Sequence, residues 1–212
     1  MARIKPYAIL PWIIQRGVLL FLVKPLYYIF LDIEVIGIKN IPLDKNNYIF
    51  ASNHSSELDP TIIPAVLPIN TKFVPMFYVS KDKSFYDRSG WRKIFYGGLI
   101  FKLFGAYPVV SGAKNYGISM DKHIKILKDG YSVHIFPEGV RTLNGEIGEG
   151  RGGVSYLSII SGVPIIPVSI KGFYKLSIKE FFYNNKKIII NFGSPIYLRS
   201  NFSVENDILM HK

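Results

Sequence analysis

Five stretches of this chain are short, largely apolar and rich in β-branched or aromatic residues: NNYIFAS (46–52), KFVPMFYVSK (72–81), AYPVV (106–110), YSVHIF (131–136) and PIIPVSI (164–170). None shows the polar alternation of a strand with one wet face, so each needs cover on both sides. Helical patterns lie between them. NYGISMDKHIKILKDG (115–130) is amphipathic: Ile118, Ile124 and Leu127 are placed on its apolar side, His123 on its exposed side, and Gly130 at the stop. GGVSYLSIISG (152–162) reads as a helix ending at Gly162, and WRKIFYGGLIFKLFG (91–105) as one weakened by Gly97 and Gly98. IEVIGIKNI (33–41) and KKIIINFGSPIYL (186–198) add a strand near each end. The expectation is an α/β fold with a mixed, largely parallel sheet flanked by helices. In such sheets the loops leaving the carboxyl ends of the strands carry the chemistry.

Ahead of this pattern lies PYAILPWIIQRGVLLFLVKPLYYIFL (6–31), the most apolar part of the chain. Gln15, Arg16, Lys24 and Pro25 divide it into pieces shorter than the roughly 20 residues that cross a bilayer. No small-residue cleavage site follows, so a secretory signal is rejected. The reading is one or two helices lying in, or dipping into, one leaflet, with Arg16 and Lys24 reaching headgroups and Trp12, Tyr27 and Tyr28 at the interface; the alternative is an ordinary buried helix pair packing on the domain. Two parts result: residues 1–31 as a membrane-anchoring segment and 32–212 as the α/β domain.

Charge and composition narrow the partners. The net charge is +11 in 212 residues, and the basic residues are scattered through apolar sequence rather than gathered in blocks. With 49% hydrophobic residues and a mean hydropathy of +0.20, that pattern favours an anionic membrane surface over nucleic acid. The chain has no cysteine, which excludes disulfides, thiolate metal sites and a cysteine nucleophile. No Gly-x-Ser-x-Gly elbow occurs.

Two loops at strand ends carry reactive groups. FASNHSSELDP (50–60) holds His54 with Asp59 five residues on. Positions five apart on a helix differ by about 140°, so the two meet only if His54 lies in a turn. Asp59, next to Pro60, is biased toward a turn as well. A carboxylate on one ring nitrogen fixes the tautomer and frees the other nitrogen as a base. The alternative is a loop histidine beside solvated or capping acids. FPEGVRT (136–142) supplies Glu138 as an acceptor, Gly139 for close approach and Arg141 as a guanidinium fork for phosphate. The alternative there is a tight turn with a solvated arginine. His134 reads as a local packing residue and His211 as part of the tail.

Taken together, the two motifs resemble the glycerolipid acyltransferase family typified by 1-acylglycerol-3-phosphate acyltransferase. Its Asn-His-x-x-x-x-Asp block is matched by Asn53, His54 and Asp59, and its Phe-Pro-Glu-Gly-Thr-Arg-Ser block by Phe136, Pro137, Glu138, Gly139 and Arg141. Its Val-Pro strand is matched at 163–168, and its closing Gly-x-Pro-Ile turn by Gly193, Pro195 and Ile196. The resemblance covers residues 30 to 198. It implies a glycerol-3-phosphate acyltransferase-like fold and transfer of an acyl chain from acyl-carrier protein or acyl-CoA to a lysophospholipid hydroxyl. No cofactor and no metal are implied. His54 would be the general base and Asp59 its orienting partner, with backbone N–H groups of the first motif holding the oxyanion. Arg141 would hold the acceptor phosphate with Lys81 and Arg151, and Glu138 would contact the acceptor or brace its loop. The implied place is the cytoplasmic face of the cell membrane. Three positions depart from the family: Val110 and Ser111 stand where Asp and Arg are usual, and Val140 replaces a threonine.

Overall fold

The computed structural model describes residues 4–81, 102–109 and 116–198. Seven strands form one sheet: β1 Asp32–Ile36, β2 Ile49–Ser52, β3 Met76–Lys81, β4 Ala106–Val109, β5 Ser132–Ile135, β6 Ile165–Lys171 and β7 Lys187–Phe192. Their spatial order is β1-β7-β6-β2-β5-β3-β4. The five strands from β6 to β4 run parallel; β7 turns back antiparallel on β6, and β1 follows β7 in parallel. The largely parallel, mixed sheet read from the sequence is therefore present.

The short apolar runs are buried on both faces for the expected reason. On β2, Phe50 packs with Met76, Tyr78, Ile166 and Val168 on one side of the sheet. Its neighbour Ile49 packs with Phe77, Val133 and Ile165 on the other. Five helices are described: α1 Pro6–Phe30, α2 Asp59–Val66, α3 Tyr116–Lys128, α4 Gly153–Ser161 and α5 Ile178–Tyr183. α1 and α2 contribute to the first layer, α3 and α4 to the second.

The N-terminal segment differs from its reading. α1 is one continuous helix of 25 residues, long and apolar enough by length and composition to cross a membrane. Its middle, Gln15–Val23, is wound more loosely, and Lys24 N–H bonds back five residues to Leu19 O. Loose turns give room for the ring of Pro25, which otherwise meets the carbonyl four residues earlier. The polar interruptions bond to the protein itself. Arg16 donates to Ile69 O and Thr71 O, and Lys24 to Leu67 O. Tyr27, expected at an interface, is 3% exposed, and its hydroxyl lies 2.5 Å from Thr61 Oγ1. Ala8, Pro11, Gln15, Leu19 and Tyr27 form the stripe that packs inward, at helical spacing. Ile9, Leu10, Ile13, Phe21, Leu22, Tyr28 and Ile29 face outward.

Three other readings change. His123 is fully buried, whereas Ile118 is 75% exposed. The buried face of α3 runs through Met120, His123, Ile124 and Leu127, and Ile118 lies nearly opposite Met120. β1 stops at Ile36 because Gly37 adopts a left-handed φ of 71°, and a Cβ there would lie 2.1 Å from Phe192 O. Almost all of the helix expected over 91–105, together with Val110, Ser111 and His211, lies outside the described residues.

Candidate active site

Both motif loops leave the carboxyl ends of adjacent parallel strands, β2 and β5. Asn53 fixes where the first loop begins. Its side-chain amide donates to Ile170 O at 2.9 Å and accepts from Ile170 N at 2.7 Å, continuing the ladder to β6 one residue past the strand. His54 follows in irregular backbone, and Asp59 is the first residue of α2 with Pro60 behind it, where a missing N–H does no harm.

His54 Nδ1 and Asp59 Oδ2 are 3.0 Å apart. Asp59 is completely buried, and the His54 side chain is 19% exposed. The same carboxylate oxygen accepts the N–H groups of Ser55 at 2.5 Å and Ser56 at 2.7 Å. Three donors on one oxygen satisfy a charge that burial would otherwise make costly. Among the described residues, His54 Nε2 carries no hydrogen bond, so that nitrogen stays available. The imidazole also stacks on Phe136, with ring centres 3.9 Å apart and planes 14° from parallel. Sequence reasoning quoted Phe136 only as part of a motif. Its place immediately after β5, beside the loop that leaves β2, is what makes it a platform.

Glu138 is 6% exposed and joins the two loops: it accepts His54 N–H at 2.8 Å and Gly148 N–H at 2.7 Å. Thr142 N–H adds a bond to His54 O at 2.9 Å. Glu138 is thus a brace. With His54 N, Ser55 N and Ser56 N all committed to carboxylates, the first-motif amides expected to bind an oxyanion are already occupied.

The cations fall into two places. Arg141 pairs at 3.0 Å with Glu57 of the first loop, both side chains well exposed. An exposed pair of this kind is weak and salt-sensitive, so it can open to another anion. Arg151 is exposed, and its backbone N–H donates to Pro137 O. It lies two residues before α4. Its guanidinium passes over Gly139, 3.5 Å from where a Cβ would be, and Gly139 has a φ of 69°. Lys81, at the carboxyl end of β3, is near enough that partial burial and the charge of Arg151 lower its ammonium from the ordinary lysine range. Lys81, Gly139 and Arg151 therefore come together.

His134 lies beneath. It is fully buried, its Nε2 is 2.8 Å from Ser52 Oγ, and its ring packs on Phe136 and Tyr78. Burial, and secondarily the nearby His54, pushes it down to about 3, so it stays neutral. Tyr27 was also missed as a neighbour of the site. Its partner Thr61 donates to Leu58 O in the first turn of α2, the turn that presents Asp59. No local signal in the sequence joins residues 27 and 61.

The acyltransferase family model matches residues 32–171. A 1-acyl-sn-glycerol-3-phosphate acyltransferase of Bacillus subtilis is 31% identical over 168 residues, covering 78% of this chain and 74% of the relative. A chloroplastic protein of the same name from Brassica napus is 26% identical over 173 residues, covering 80% of this chain and 46% of the relative. The chain spans about half the length of the chloroplastic relatives it matches. The crystal structure of the 1-acyl-sn-glycerophosphate acyltransferase PlsC of Thermotoga maritima superposes with a TM-score of 0.62 at 21% identity, covering 93% of this chain and 75% of that one. That likeness bears on the fold.

Proposed function

This chain belongs to the acyltransferase family, and on that footing we propose that it transfers a fatty acyl chain from an acyl thioester to the free hydroxyl of 1-acylglycerol 3-phosphate, giving phosphatidic acid. The observation that carries the proposal is the His54–Asp59 contact at 3.0 Å, with Asp59 buried and Nε2 unbonded among the described residues. Asp59 holds the Nδ1–H tautomer, and Nε2 takes the proton of the acceptor hydroxyl as its oxygen attacks the thioester carbonyl. The tetrahedral intermediate collapses with cleavage of the C–S bond, and the imidazolium returns the proton to the departing thiolate. Stacking on Phe136 keeps the ring in one orientation throughout.

General-base catalysis supplies about 10²- to 10⁴-fold, and positioning must supply the rest. Lys81 and Arg151 form the cationic ground for the acceptor phosphate, and Arg141 joins by releasing Glu57. Both acyl-carrier protein and acyl-CoA suit the basic surface as donors. Residues 1–31 form the membrane-associating part, at the cytoplasmic face of an anionic membrane, and 32–212 the acyltransferase part. A different lysolipid or amine-bearing acceptor is the second reading, favoured by Val110 and Ser111 where the family carries a charged pair.

The test is a panel of lysolipid acceptors with labelled acyl thioester, products resolved by headgroup, run on the natural chain and on His54→Ala. Phosphatidic acid from the natural chain, reduced at least about a hundredfold by the substitution, supports the proposal. Thioester consumption unaffected by His54→Ala refutes it.

A further inference from the structure

The loop that follows Gly139 ties its polar groups to one another while its apolar side chains stay exposed. Thr142 Oγ1 donates to Asn144 Oδ1 and accepts Gly145 N–H, Glu146 N–H donates to Asn144 Oδ1, and Gly148 N–H is held by Glu138. Tyr174 clamps the tip: its hydroxyl donates to Leu143 O at 2.6 Å, and its ring lies 2.9 Å from where a Cβ on Gly145 would be. The loop therefore has a fixed shape. Even so, Val140 is 46% exposed, Leu143 92% and Ile147 71%. Single exposed apolar residues are ordinary, but three within eight residues of a tied loop form a patch.

We propose that the loop Val140–Ile147 is a membrane contact in its own right, its apolar side chains entering the edge of an anionic bilayer while Arg141 and Arg151 meet the headgroups. This rests on the reading above that the acceptor is held in a membrane. Two observations choose a bilayer as the occupant. Two exposed guanidiniums, Arg141 within the loop and Arg151 beyond it, stand beside the patch together with the exposed Glu146 and Glu149, in a chain whose net charge is +11, so the overall field of the protein favours acidic lipid. It also continues toward α1. Tyr174 leads into α5, where Ile178 and Tyr183 are about 80% exposed, and Phe182 of α5 meets Phe30 of α1 edge-on at 4.9 Å. Thr142 N–H bonds to His54 O, so the depth of the loop would set the height of the imidazole above the lipid.

The test is co-sedimentation of the full chain with phosphatidylcholine vesicles with and without phosphatidylglycerol. The double variant L143E/I147E is compared with Leu43→Glu, a leucine 76% exposed near the amino end of β2, at the opposite end of the sheet. Expected is a loss of binding to the anionic vesicles of about fivefold or more for the double variant, with no change for Leu43→Glu. Because folding of the double variant is a separate matter, Leu143→Trp is measured as well, and its added fluorescence should be quenched by brominated lipid. Binding is read without turnover, so failure of the acyl-transfer reading leaves these results standing. Unchanged binding of L143E/I147E, an equal loss for Leu43→Glu, or no quenching of Trp at 143 overturns the proposal. So does unchanged vesicle binding with turnover lost only when acyl-carrier protein is the donor, which would make the loop a carrier dock.

Discussion

Replacing Gln15 with leucine separates a helix docked on the domain from one that merely crosses lipid. Gln15 has no exposed surface, and its amide makes three hydrogen bonds: Nε2 donates to Met76 O at 2.6 Å and to Phe104 O at 2.8 Å, and Oε1 accepts Met76 N–H at 2.8 Å. Met76 opens β3 and is itself buried, so its N–H has no water to turn to. A buried donor left without a partner costs about 1–3 kcal/mol, and each carbonyl that loses one bond about 0.5–1.5 kcal/mol. The sum is roughly 2–6 kcal/mol, a large share of the roughly 5–15 kcal/mol that holds a domain folded. In a free lipid-crossing helix the same change removes a costly polar residue and is neutral or favourable. Denaturant unfolding of the two proteins in the same mild detergent, followed by circular dichroism, reads the difference. A loss of less than about 1 kcal/mol would refute the docking argument.

Two further outcomes follow from buried groups. Glu138→Gln replaces one of two accepting oxygens with an NH₂ that faces an N–H, either of His54 or of Gly148. Destabilisation of about 1–3 kcal/mol is expected, and steady-state kinetics should show kcat falling more than KM rises, since the brace positions His54 and not the acceptor. Acid stability is set by two histidines, which burial pushes down to about 4 at His123 and about 3 at His134. The unfolded chain binds protons at these sites below about pH 6.5 while the folded chain does not. Stability is therefore full above that pH and falls as pH drops toward 4, by up to about 1.4 kcal/mol per pH unit per histidine. His134→Leu should remove about half of the slope measured between pH 6 and 4.5, and an unaltered slope contradicts the assignment.

The central sheet was readable because burial on both faces leaves so few residue types available to YIFAS or PIIPVSI. The His54–Asp59 pairing was readable because five residues fit one turn and the following helix start, and because Pro60 limits the alternatives. The N-terminal helix was misread where polar residues were taken for interruptions. Gln15 and Arg16 are the points at which α1 bonds to the rest of the protein, and their partners, Met76 and Ile69, stand more than fifty residues away. The same distance hid Tyr27 beside Thr61. His123 was placed by its polarity rather than by its spacing from Met120 and Leu127, which puts it on the buried face. Three first-motif N–H groups, those of His54, Ser55 and Ser56, are taken by Glu138 and Asp59, a commitment that no local pattern in the sequence marks.

The amide of Asn53 has one more effect. By imitating a peptide unit against Ile170, it marks the residue at which β2 hands over to the loop. Were that strand to slip by a single position, every side chain beyond it would invert, and His54 would point away from Asp59 and Phe136. One uncharged side chain, taking no part in proton transfer, thereby guards the handedness of the whole catalytic corner.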